Sequence, residues 1–261
     1  MSAAFGSEVV KLRQRTYWFA LAAMLAFMAI AMVISVGDPG EVASDRGPAG
    51  LVLARQDLEA ADGLARSLGN AVTFVGVVAL AIVALNVGGE YGHGTIRNLL
   101  VRQPNRARLL LGKSAALLTF SAAAAVLVAL VGIGVAQILA RDLDTAAWWS
   151  AQGRAASAAG VLAFAVATCG WAALGILFGF VLRSAPAAIG VGIGYALPVE
   201  ILFGTMFPVA ARWLPAQTFQ ALARGGTPDV DVALAAAGSV AWAVVAVLVA
   251  LVVFRRRDVE A

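Results

Sequence analysis

Residues 17–36 form twenty consecutive positions without a charge. At 1.5 Å per residue a helix of that length crosses the ~30 Å hydrocarbon core of a bilayer. Comparable apolar runs recur over residues 69–87, 109–140, 155–182, 187–206 and 232–254. No other feature narrows the fold so far. In hydrocarbon each backbone amide must be bonded within its own segment or a closed barrel, and uninterrupted runs of this length are helices. The expectation is an all-α integral membrane protein, one transmembrane domain over residues 1–261 with six transmembrane helices. The first run is longer than the apolar region of a cleaved signal peptide, so it is expected to stay as a span.

Composition agrees: 61% of residues are hydrophobic and only 13% charged, too few to clothe a soluble domain. The net charge of +4 does not point to nucleic acid, because the basic residues sit in short blocks at the ends of apolar runs, where they orient spans. With six spans both termini share a side. That side holds twelve of the 19 basic residues, whereas the other holds seven together with ten of the acids. The positive-inside rule puts both termini in the cytoplasm. Cys169 and His93 are the only residues of their kinds, so neither an internal disulfide nor a His-rich or thiolate metal site is expected.

Outside the spans, residues 2–16 place Phe5, Val9 and Leu12 on one helical face with Glu8, Lys11, Arg13 and Arg15 around the rest, the pattern of either an interfacial amphipathic helix or an ordinary positively charged flank to the first span. In the acidic loop of residues 37–68, Leu58, Ala61, Ala65 and Leu68 recur at helical spacing. Paired Trp148 and Trp149 suit the headgroup level. Gly175 and Gly179, like Gly190 and Gly194, are four apart and permit close helix contact, by default within the subunit. Residues 207–231 carry Pro208, Pro215 and Pro228 among apolar patches, and a re-entrant hairpin before span six is expected there.

Three places compete as functional sites. Gly112-Lys113-Ser114 imitates the end of a phosphate-binding loop, but the glycine required five residues earlier is Ala107, and Arg108, Leu109, Leu110 and Leu111 intervene. No ATP site is expected in this chain, and Lys113 is taken as a cytoplasmic anchor. Glu200, the one carboxylate within a span, is a candidate intramembrane polar site. The structural alternative is that it bonds to backbone freed by Pro198 or snorkels outward. The third place, residues 88–113, has the most internal order. Gly88 and Gly89 are expected to end span two, and Gly94-Thr95 offers a turn and an N-cap. Ile96, Leu99 and Leu100 then share a face opposite Arg97, Asn98 and Arg102, Pro104 ends the helix, and Asn105 can cap the next.

The segment Glu90-Tyr91-Gly92-His93-Gly94-Thr95-Ile96-Arg97, followed by Pro104, Arg106 and Lys113, closely resembles the stretch after the second span in membrane subunits of type-2 ATP-binding-cassette (ABC) exporters. Glu8 to Leu12 with Arg13 and Arg15 is similar to that family's N-terminal connecting helix. The resemblance implies a permease that is not itself an enzyme, has no cofactor of its own, and works by alternating access. ATP and magnesium would reside on cytoplasmic ABC ATPase subunits. The other partners implied are a second permease copy, as homodimer or sister heterodimer, and the bilayer of the cell membrane. The cargo would be a hydrophobic or amphipathic small molecule, drug, peptide or lipid. By the same resemblance the ATPase-coupling residues are Glu8, Lys11, Arg13, Glu90, Tyr91, Gly94, Thr95, Ile96, Arg97, Arg102, Pro104 and Arg106, in a connecting helix (residues 1–16) and a cytoplasmic coupling segment (residues 88–108). The alternatives are a proton-coupled carrier or intramembrane enzyme using Glu200, and a membrane adaptor that transports nothing.

Overall fold

The computed structural model describes residues 5, 6, 8, 11, 14–37, 39, 53–228 and 230–257, with the side chains of Arg102 and Pro208 excepted. Six of its helices are long and apolar enough to cross a membrane: Arg15–Gly37, Val72–Gly92, Arg106–Leu139, Ala151–Leu182, Ala185–Met206 and Val232–Arg256. Within the first, α1 (Arg15–Met32) widens into a π-helical turn over Val33–Gly37. Then come α2 (Arg55–Glu59), α3 (Gly63–Asn70), α4 (Val72–Gly92), α5 (Thr95–Arg102), α6 (Arg106–Leu139) and α7 (Ala151–Leu182). The fifth span is α8 (Ala185–Gly194), a π-helical stretch over Tyr195–Val199, and α9 (Glu200–Met206). Pro198 lies inside that stretch; lacking an N–H it cannot bond the preceding turn, and the wider π turn absorbs the break. Two short helices, α10 (Pro208–Ala211) and α11 (Pro215–Ala223), precede α12 (Val232–Arg256).

The bundle is built around α7, which packs against α4, α6, α8, α11 and α12. Glycine sets the closest approaches. A Cβ at Gly175 would lie 2.5 Å from the Leu80 carbonyl oxygen and one at Gly179 2.6 Å from the Val87 Cβ, so these two glycines seat α7 on α4. Among the described residues, Cβ atoms at Gly190 and Gly194 would meet nothing within 4 Å, and the packing expected of that second pair is not found there. Gly192, between them, is the glycine that packs there, against Leu80 and Phe178.

Gly88 and Gly89 do not end the second span, since α4 continues to Gly92. A Cβ at Gly88 would stand 2.6 Å from the Ala185 backbone nitrogen; that glycine lets α4 and α8 touch rather than breaking the helix. The stop comes at Gly94, whose φ of 66° is left-handed, a conformation that costs glycine nothing. In the outer loop Leu58 and Leu68 are fully buried, on α2 and α3. Of the paired tryptophans only Trp149 is exposed; Trp148 is enclosed and donates its ring N–H to the Leu58 carbonyl at 2.6 Å.

Candidate functional site

One end of the bundle gathers the residues that the sequence singles out. The short helix α5 hangs between α4 and α6. Its Ile96 is buried in a cluster with Val87, Leu109, Leu110, Phe180 and Phe254, with Leu99 and Leu100 packed against it. Arg97, Asn98 and Val101 are exposed. The Thr95 hydroxyl donates to the Glu90 carbonyl at 3.3 Å, so it braces the turn instead of capping α5. At the far end the Asn105 side chain accepts from the Arg108 amide at 3.0 Å and caps α6.

Behind this helix lies a buried ion cluster. Lys113, in the third turn of α6, is 2% exposed. It is not a surface anchor: its Nζ donates to Glu8 Oε2 at 3.0 Å and to Glu90 Oε1 at 2.9 Å. Lys11 makes the matching pair, donating to Glu8 Oε1 at 2.7 Å and Glu90 Oε1 at 2.6 Å. Two acids and two bases thus alternate around a square with no net charge. Gly112-Lys113-Ser114 is helical and buried, and its lysine is held by the two carboxylates. The Asn86 amide donates to the Tyr17 hydroxyl and reaches Glu8 Oε2 at 3.5 Å. Among the described residues, Glu90 Oε2, Asn86 Oδ1, the Tyr91 hydroxyl and Ser114 Oγ are buried without a hydrogen-bond partner. Burial alone would push the Glu8 carboxyl up, but Lys113 and Lys11 outweigh it and hold it below the ordinary carboxylate range. For Lys11 burial pulls down, and Glu8 and Glu90 together push the ammonium above its usual value.

Glu8 and Lys11 lie in the expected amphipathic helix, where Phe5, Gly6, Glu8 and Lys11 are helical. Glu8 is 2% exposed, not part of a solvated rim. Arg13, with residues 1–4, 7, 9, 10 and 12, lies outside the described residues. Tyr91 packs edge-on against Phe180, with the Arg183 guanidinium 5.5 Å from its ring centroid. Arg106 turns away from the ion cluster: it donates to the Phe254 and Arg257 carbonyls at 3.2 and 2.8 Å, closing the end of α12. Pro104 is exposed, and Arg102 is the last residue of α5. A cleft of about 720 Å³ opens beside the cluster, lined by Lys11, Tyr17, Asn86, Glu90, His93 and Asn98 among others.

Glu200 is distant from all this and fully buried. Its two oxygens accept from the Ala216 and Gln217 amides, each at 3.2 Å. These are free N–H groups at the start of α11, where a carboxylate is favoured. Its partners are therefore neither the backbone around Pro198 nor the membrane surface.

Asn86 and Tyr17 are the residues of this site that sequence reasoning passed over, and Lys113 it assigned to the surface. The signal available for Lys113 was its place in a run that continues apolar on both sides: Leu109, Leu110 and Leu111 precede it, and Ala115, Ala116, Leu117 and Leu118 follow.

No curated protein matches the chain. A family model described as a protein of unknown function (DUF2705) matches residues 53–260, which takes in Glu90, Lys113, Glu200 and five of the six long helices. With that match over most of its length, the chain belongs to the DUF2705 family.

Proposed function

We propose that this chain is the membrane subunit of an ATP-driven transporter, moved by a separate cytoplasmic ATPase. The observation that carries the reading is α5. It is seated in the bundle by Ile96, hung between two spans, and offers Arg97, Asn98 and Val101, the last 77% exposed, to whatever lies beneath. A solvated loop that only orients spans needs neither the left-handed stop at Gly94 nor the cap at Asn105. The likeness of residues 90–97 to the coupling segment of type-2 ABC exporters supplies the identity of the partner. In this reading α5 is the cytoplasmic coupling helix, both termini are cytoplasmic, and two permease copies enclose the path. Closure of the ATPase around ATP drives alternating access, and α10 and α11 form the re-entrant hairpin over the path. The cargo class is a hydrophobic or amphipathic molecule.

The engagement of both Glu200 oxygens by backbone amides supports a structural carboxylate over a proton carrier. The test is purification of the tagged chain from its native membrane. An ATPase with both nucleotide-binding motifs should accompany it, and ATP hydrolysis by the complex should respond to substrate. A chain that purifies without any ATPase under mild detergent would count against the proposal.

A further inference from the structure

The buried square of charges bears on how the coupling residues act. Breaking one partner out of a buried ion group leaves an uncompensated charge and is costly, whereas the intact group adds little stability over an apolar core. Such a group is better explained by the geometry it enforces. Here it joins three pieces distant in sequence: Glu8 and Lys11 from the N-terminal segment, Glu90 from the last turn of α4, and Lys113 from α6. Glu8 and Glu90 are 2% and 7% exposed, so neither carboxylate is displayed to a docking protein.

We infer that Lys113 is the pin of a clasp that makes the N-terminal segment and the α4–α5 turn one body, with Glu8 and Glu90 as positioning residues inside it, not contacts to a partner, and Lys11 at its half-exposed edge. The Thr95 bond to the Glu90 carbonyl extends the clasp to the first residue of α5. That this body receives force from an ATPase rests on the function proposed above; the clasp itself does not.

The test is hydrogen exchange on the full chain in lipid nanodiscs, with no partner present. Lys113→Met leaves two buried acids facing one lysine. Peptides containing Glu8 and Lys11, and those covering α5, should then exchange about tenfold faster or more, with α7 and α12 unchanged. Glu90→Gln should accelerate the same peptides, which guards against a Lys113 variant that fails to insert. Glu90→Gln combined with Lys113→Met leaves only the Glu8–Lys11 pair, which lies within the N-terminal segment and ties it to neither α4 nor α6, so exchange of those peptides should stay about tenfold faster or more. Unaltered exchange in both single variants, or a double variant protected like the parent, would overturn the clasp. In a complex with an ATPase, Lys113→Met should lose coupling as Glu90→Gln does, although Lys113 is buried beyond the reach of a docking protein. Coupling kept by Lys113→Met and lost only in Glu90→Gln would mean that Glu90 touches the partner and would overturn its positioning role. Absence of any ATPase would sink the proposed function and leave the exchange result standing.

Discussion

Lys113 shows what a residue's neighbours in sequence do and do not reveal. A lysine shortly after a basic loop reads as the cytoplasmic end of a span, yet its partners are 105 and 23 residues away, and no local pattern announces a contact at that distance. Glu200 was legible as an anomaly, because a carboxylate inside a span must find something to bond. What it bonds was not, since the free amides of α11 exist only once α11 folds back. Glu200→Leu should lower the unfolding transition in detergent by about 1–2 kcal/mol through loss of the acceptor for those amides, and Glu200→Gln by less, since an amide oxygen still accepts. Transport by the Gln variant should be retained at every pH; activity abolished in a folded protein would favour the carrier alternative. The N-terminal pair makes a pH prediction. Glu8, depressed in the folded state, contributes stability above its unfolded pKa that is lost as pH falls through its folded value. Lys11, raised, contributes stability below its unfolded pKa that is lost as pH rises through its folded value. Protection of the N-terminal segment should therefore be flat from about pH 5 to about pH 9 and fail only outside that window; hydrogen exchange across the range, corrected for its intrinsic pH dependence, would check it.

At the level of elements, helices and their apolar faces were readable because periodicity is local. Ile96, Leu99 and Leu100 turn inward as their spacing requires, and Asn105 caps α6. Helix ends were less readable. A Gly-Gly pair signals either a break or a close approach, and only the neighbour decides. At Gly88 the neighbour is the backbone of Ala185, so the pair stays helical and α4 ends later. Gly88→Val should accordingly force α4 and α8 apart, at a cost of about 1–3 kcal/mol or more because backbone cannot yield as a side chain does. Gly92→Ala, where a Cβ meets nothing within 4 Å, should be neutral or slightly stabilising. Thermal unfolding of the two variants in the same detergent separates a packing glycine from a merely helical one.

For the whole molecule, six apolar runs sufficed to anticipate six long helices, because the bilayer leaves a chain so few choices. The order of packing was beyond reach: nothing local marks α7 as the centre of the bundle or tells that Val240, Val244 and Leu248 of α12 stay exposed. Orientation is a separate claim from charge. A fluorescent protein fused after Ala261 should mature and fluoresce, as it does only on the cytoplasmic side, and a periplasmic reporter at the same place should be silent. In the proposed function α5 is the surface an ATPase pushes on. The most direct measurement of that contact is photo-crosslinking in native membranes from a reactive residue placed at Arg97 or Asn98. An adduct with a nucleotide-binding ATPase, changed in yield by ATP, is the expected result. Adducts with lipid alone, from both positions, would contradict it.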